Sequence, residues 1–176
     1  MINQYLSGLD CTCGRQHRCD VRYVAIEHGA IRHLTRLCED FQKILLVADE
    51  NTFGAAGAKV EAALQGKTYS KLIFDGSSFL IPNEIAVARV QEELPGHDLI
   101  IGIGSGVIQD LCKYVSFEAG LPYQIIATAP SMDGYTSTGA AMIMGGMKVT
   151  YSAGLPTVLV ADPAILKDAP MDMIQA

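Results

Sequence analysis

The 176-residue chain has no tryptophan, little basic charge and no long apolar run. Its 13 lysines and arginines are outnumbered by 19 aspartates and glutamates, leaving a formal net charge of −6. That balance argues against nucleic acid or an anionic membrane surface as a partner. No apolar stretch approaches the roughly 18 residues that a membrane helix needs. The N-terminus, MINQYLSGLDCTCG, lacks both the basic region and the apolar core of a secretory signal. The expected location is therefore cytoplasmic. Five cysteines, an odd number, fit reduced thiols better than a disulfide framework in such a chain. There is no internal repeat and no low-complexity linker. What remains is ordinary globular composition, 49% hydrophobic, in a chain long enough to bury a core.

Short apolar runs alternate with helical periodicity, which predicts an α/β fold. Strands are expected at Val21–Glu27, Lys43–Ala48, Ser70–Phe74, Leu99–Ile103, Tyr123–Ala127 and Thr157–Ala161. Continuous runs such as KILLVA are the mark of parallel strands covered on both faces. Helices are expected at Ala30–Phe41, Phe53–Leu64, Val107–Glu118 and from Pro82, in a first turn, to Leu94. Ala140–Met144 and Lys148–Tyr151 flank Gly145-Gly146 and predict an antiparallel hairpin. The architecture is thus a parallel sheet flanked by helices with a small antiparallel hairpin insertion.

The stretch from Asp98 to Ser137 carries the chemistry. Gly102, Gly104 and Gly106 punctuate what reads as a tight turn between strand and helix, where the backbone can approach a ligand closely. The helix N-terminus beyond it suits a phosphate. Asp110 is placed in the first turn of that helix. The next strand ends in TAPSMDGYTS, a loop rich in hydroxyls with one carboxylate. Asp49, at the tip of KILLVAD, is either a ribose-hydroxyl acceptor or part of a helix start near the good caps Asn51 and Thr52. The G-x-G-x-G spacing, its late position and the following strand's end at Thr128 all depart from the usual dinucleotide fingerprint. A plain strand–helix connection therefore stays open for the glycines alone. Near the N-terminus, Cys11, Cys13, His17 and Cys19 offer three thiols and an imidazole, a possible zinc set. Their spacing differs from the common C-x₂-C, and an exposed turn that binds nothing is the other reading.

The motifs GIGSGVIQD and ATAPSMDGYTS, with CxCGxxH, ADENT and VLVADPAILKDAPMDMI, resemble the sn-glycerol-1-phosphate dehydrogenases. These belong with the iron-containing alcohol dehydrogenases, glycerol dehydrogenases and dehydroquinate synthases. The resemblance implies a dehydroquinate-synthase-like, Rossmann-related N-terminal domain that binds NAD or NADP. It also implies a C-terminal helical domain holding a divalent metal, zinc or nickel. On this basis residues 1–20 are an extension, 21–169 the dinucleotide-binding domain and 170–176 the start of the helical domain. Residues 1–176 would then be an N-terminal half, inactive alone, because His17, His28, His33 and His97 match no ligand position. The implied reaction reduces dihydroxyacetone phosphate to sn-glycerol 1-phosphate. Gly104, Ser105, Gly106, Val107 and Ile108 would cradle the pyrophosphate, with Asp110 closing the motif. Asp49 would meet the adenosine ribose, while Thr128, Ser131 and Ser137 would make further dinucleotide contacts. Asp133 would touch the substrate. The expected partners are a small phosphorylated substrate and further copies in a homo-oligomer, with no nucleic acid and no membrane. Glycerol dehydrogenase or dehydroquinate synthase chemistry, and a stand-alone nucleotide-binding module, are the alternatives.

Overall fold

The apolar runs form strands because helices cover the sheet on both sides. The computed structural model describes residues 2–8, 11–15, 17 and 19–175. A 3-10 turn at Ile2–Tyr5 is followed by β1 (Tyr23–Ile26), a second 3-10 turn (Ala30–His33) and the single helical turn α1 (Leu34–Leu37). Three strand–helix pairs come next: β2 (Lys43–Asp49) with α2 (Glu50–Ala63), β3 (Thr68–Phe74) with α3 (Glu84–Glu93), and β4 (Leu99–Gly104) with α4 (Gly106–Ala119). After β5 (Tyr123–Ala127) the chain makes a 3-10 turn (Asp133–Thr136) and the hairpin β6 (Gly139–Met144) and β7 (Met147–Ser152). It then runs through β8 (Val158–Ala161), α5 (Pro163–Leu166) and α6 (Met171–Gln175).

The main sheet has the order β1-β8-β5-β4-β2-β3, and every pairing in it is parallel. Alternate residues of β2 enter opposite cores. Leu45 and Val47 join side chains of α3 and α4, while Ile44, Leu46 and Ala48 join those of α1 and α2. The hairpin turns through Gly145 and Gly146 at φ 59° and 76°, the left-handed pair that a two-residue turn of this kind demands. At the sheet edge, the Asn3 side chain stands in for a neighbouring strand. It donates to the Val24 carbonyl (2.9 Å) and accepts from the Val24 N–H (2.7 Å).

The expected helix Val107–Glu118 is longer by one residue at each end, and the other three differ more. The run Ala30–Phe41 yields only the 3-10 turn and α1: beyond Leu37 the Glu39 and Phe41 N–H groups bond to the Arg36 and Cys38 carbonyls (both 3.2 Å), three residues back rather than four. Helix α2 starts at Glu50, since Asp49 itself is the cap. Helix α3 is capped by Asn83, whose side chain accepts from the Ala86 N–H at 3.1 Å. Pro82 therefore precedes the helix and offers its carbonyl to the Ile143 N–H of β6 (2.9 Å). No helix among the described residues is long and apolar enough to cross a membrane.

Candidate nucleotide-binding site

The sheet's winding reverses between β2 and β4. The chain leaves β2 outward to β3 and returns on the other side of β2 as β4. Helices α2 and α4 consequently cover opposite faces. A crevice must open between the carboxyl ends of these two strands, the place where open α/β sheets take ligands. A cavity of about 630 Å³ lies there, lined by Asp49, Thr52, Ser105, Val107, Ile108 and Thr128 among others.

Each wall has a local cause. Asp49 ends β2 and caps α2: its Oδ1 accepts from the Thr52 N–H (2.8 Å), and the Thr52 hydroxyl accepts from the Asp49 N–H (3.1 Å). Oδ2 makes no hydrogen bond among the described residues, so both readings of Asp49 fit one side chain. Ser105 is the N-cap of the 14-residue α4, but its hydroxyl makes no capping bond. The first bond of that helix is from the Gln109 N–H to the Ser105 carbonyl, at 2.9 Å. The N–H groups of Gly106, Val107 and Ile108 precede it and have no intrahelical acceptor. With the positive end of the helix dipole they form a place for an anion.

The expected tight turn is not what Gly102 and Gly104 serve. Gly102, Gly104 and Gly106 all have φ outside the left-handed region, so no tight turn requires them. A Cβ on Gly104 would stand 2.5 Å from Ile108 Cβ. One on Gly102 would stand 3.0 Å from both Cys112 Sγ and Ile125 Cδ1. Their lack of side chains lets α4 lie close on β4, and this fixes where the helix N-terminus points.

Of the other expected site residues, several sit away from the lining. Asp110 is in the second turn of α4, and the first turn carries no acid. Burial holds its carboxyl above the ordinary range, against the pull of Lys113, the Ala141 N–H and Lys148. A raised carboxyl pKa gives stability that is present below the ordinary aspartate pKa and lost as pH rises through the folded value. Asp110→Asn should therefore stabilise the chain at neutral pH. The gain should vanish on acidification below the ordinary carboxylate range, as read by urea melts across pH. The Ser131 hydroxyl donates to the Met173 carbonyl of α6. The Ser137 hydroxyl lies within a network around Lys113 Nζ (3.4 Å). Asp133 is exposed and opens its 3-10 turn. Among the zinc candidates, Cys11, Cys13 and His17 cluster, and Cys19 stays outside the group.

Two features escaped sequence reading. The loop after β3 brings Ser78, Phe79 and Leu80 to the cavity wall, although its polar turn at Asp75–Ser78 was visible. Lys113 is fully buried and donates to the carbonyls of Gly134 and Gly139, both at 2.9 Å. It ties the loop after β5 to α4. The only hint was a lysine on the apolar face of a helix.

Residues 25–170 match the iron-containing alcohol dehydrogenase family. The chain is 32% identical over 173 residues to the glycerol-1-phosphate dehydrogenase [NAD(P)+] of Geobacillus thermodenitrificans, covering 93% of this chain and 43% of that one. It is 36% identical over 145 residues to the enzyme of the same name from Bacillus subtilis, covering 77% and 36%. The chain thus spans less than half the length of these curated relatives. Among solved structures, glycerol dehydrogenase from Schizosaccharomyces pombe superposes with a TM-score of 0.72 at 19% identity, over 87% of this chain and 40% of that one. Alcohol dehydrogenase from Oenococcus oeni gives 0.74 at 17% identity, over 87% and 47%. Those two likenesses show the fold.

Proposed function

Since the chain belongs to the iron-containing alcohol dehydrogenase family, we propose that it is the NAD(P)-binding half of a cytoplasmic dehydrogenase that interconverts dihydroxyacetone phosphate and sn-glycerol 1-phosphate. The observation that carries this reading is the uncapped start of α4 opening into the cavity at the strand-order reversal. A dinucleotide fits the residues present. The free N–H groups at Gly106–Ile108 would hold its pyrophosphate. Asp49 Oδ2 would accept a ribose hydroxyl, and the Thr128 hydroxyl at the end of β5 would bind the adjoining part. Leu80 and Ile165 give apolar walls that suit a ring and exclude water. When bound, the nicotinamide supplies or accepts the hydride. The chain's contribution is to hold the dinucleotide in one orientation, which lowers the entropy cost of transfer.

A metal does not fit this cavity. Its lining has the carboxylates Asp49 and Asp168 but no histidine or cysteine. The residues described here account for binding and orientation, and for nothing a metal would do.

Calorimetric titration tests the reading directly. Saturable one-to-one binding of NADH or NADPH to the 176-residue chain is expected, and no binding of either would overturn it. Asp49→Asn refines the test, because asparagine caps a helix about as well as aspartate. Its effect should fall on the ligand. Removing one negative charge near a 2′-phosphate should raise NADPH affinity relative to NADH about tenfold, the scale of a charge pair a few ångströms apart. An unchanged ratio would take Asp49 away from the ribose.

A further inference from the structure

The N-terminal loop contains a ligand cluster that nucleotide binding does not use. Cys11, Cys13 and His17 bring one ligand atom each within 4.8 Å of one another. Cys13 Sγ lies 2.9 Å from His17 Nε2. The Cys13 backbone N–H donates to Cys11 Sγ at 3.5 Å. Gly14, at φ 74°, turns the chain in the left-handed region between Cys13 and His17. Among the described residues, no other group of three histidine, cysteine or acidic side chains comes together in this way.

We propose that Cys11, Cys13 and His17 form a binding site for one zinc-class divalent cation, held by two thiolates and an imidazole with the fourth position open. Sulfur and imidazole donors select such ions over magnesium or calcium. In a tetrahedral zinc site, sulfur and nitrogen ligands stand about 3.5 Å apart, as the bond lengths require. The 2.9 Å contact is therefore a hydrogen bond that a cation would replace, opening by a few tenths of an ångström. Binding releases the thiol protons to solvent.

The loop is anchored and still exposed. The Cys19 N–H donates to the Leu6 carbonyl at 3.1 Å, Leu6 packs on the core, and Asn3 clasps Val24. Residues 11–15 themselves bury nothing. A segment without a core is one that a metal organises. The loop leads into the amino end of β1, whereas the cavity lies at the carboxyl ends of β2, β4 and β5. The site is thus separate from the nucleotide and independent of that assignment.

Cobalt(II) titration of the reduced, chelator-stripped 176-residue chain under nitrogen tests the site. A near-ultraviolet thiolate-to-cobalt band should saturate at one equivalent, with intense visible bands of tetrahedral cobalt, and zinc should displace both. Only sulfur ligation gives the first band, and Cys38 and Cys112 are buried. Cys19→Ser should leave the titration unchanged. Cys13→Ser and His17→Gln should each weaken binding by more than about tenfold, as loss of one of three ligands requires. NADH affinity should be the same in all variants. Absence of a one-equivalent band in the wild-type chain would overturn the site. So would full binding in Cys13→Ser or His17→Gln, and loss of binding in Cys19→Ser would overturn the three-ligand set.

Discussion

Gly104→Ala is expected to destabilise the chain by about 3 kcal/mol, at the upper end of what overpacking a close contact costs. The new methyl would stand 2.5 Å from Ile108 Cβ, and 2.8 and 2.9 Å from its two γ carbons. No rotamer of Ile108 moves its Cβ, so α4 must shift off β4. A loss of that size is a large share of the roughly 5–15 kcal/mol that holds a domain folded. Nucleotide binding should fall with it, because α4 carries the free N–H groups, although Gly104 is not in the cavity lining. The sequence alone suggests a simpler account, in which a side chain at Gly104 occupies the space of the pyrophosphate. A double-mutant cycle separates the two. If packing is the cause, Ile108→Gly, which removes the Cβ as well as the γ carbons, should make Gly104→Ala far less costly, as measured by urea melts followed by circular dichroism. Undiminished cost in the Ile108→Gly background would refute the packing account.

Lys113→Met should cost a similar amount, about 3 kcal/mol, and should act through a loop rather than through the sheet. The ammonium bonds the carbonyls of Gly134 and Gly139 and approaches the Ser137 hydroxyl. Methionine keeps most of the volume but removes the charged donor, whose hydrogen bonds are worth about 1.5–3 kcal/mol, and leaves the two carbonyls to the weaker Ser137 hydroxyl at 3.4 and 3.2 Å. Burial presses the Lys113 pKa down, while Asp110 one helical turn earlier opposes that shift. Hydrogen exchange should show faster amide exchange at Tyr135 and at the start of β6, with β2 and β4 little changed. Uniform loss of protection across the sheet would contradict a local clamp.

The fold was legible wherever a run was continuously apolar. β2, β4 and β5 are buried along almost their whole length, and composition alone marks such strands. The Gly145-Gly146 turn was equally plain, since its backbone leaves few other choices. Helix starts were less readable because several residues in a row could cap. Asp49, Asn51 and Thr52 are all good caps, and the reciprocal bonds between Asp49 and Thr52 decide among them. Site residues from the SMDGYTS loop were legible as chemistry but not as direction. Ser131 and Ser137 bond to the protein itself, and no periodicity shows where a loop hydroxyl points. The packing role of Gly104 was hidden for the same reason, as its meaning lies in a side chain four residues on.

Among the described residues β1 pairs only with β8, joining residues 23–26 to residues 158–161. The Gly29 N–H likewise reaches Asp162 across 133 residues. During synthesis, β1 emerges long before residues 158–161, its partner. Until then its hydrogen-bonding edge on that side has nothing to pair with. Such long-range parallel closure is intrinsically slow. Strands β2, β3 and β4 can associate before β8 has been made, whereas β1 must wait for residues 158–161. Early release of the nascent chain before residue 158 would leave β1 without its sheet, open to pairing with another molecule.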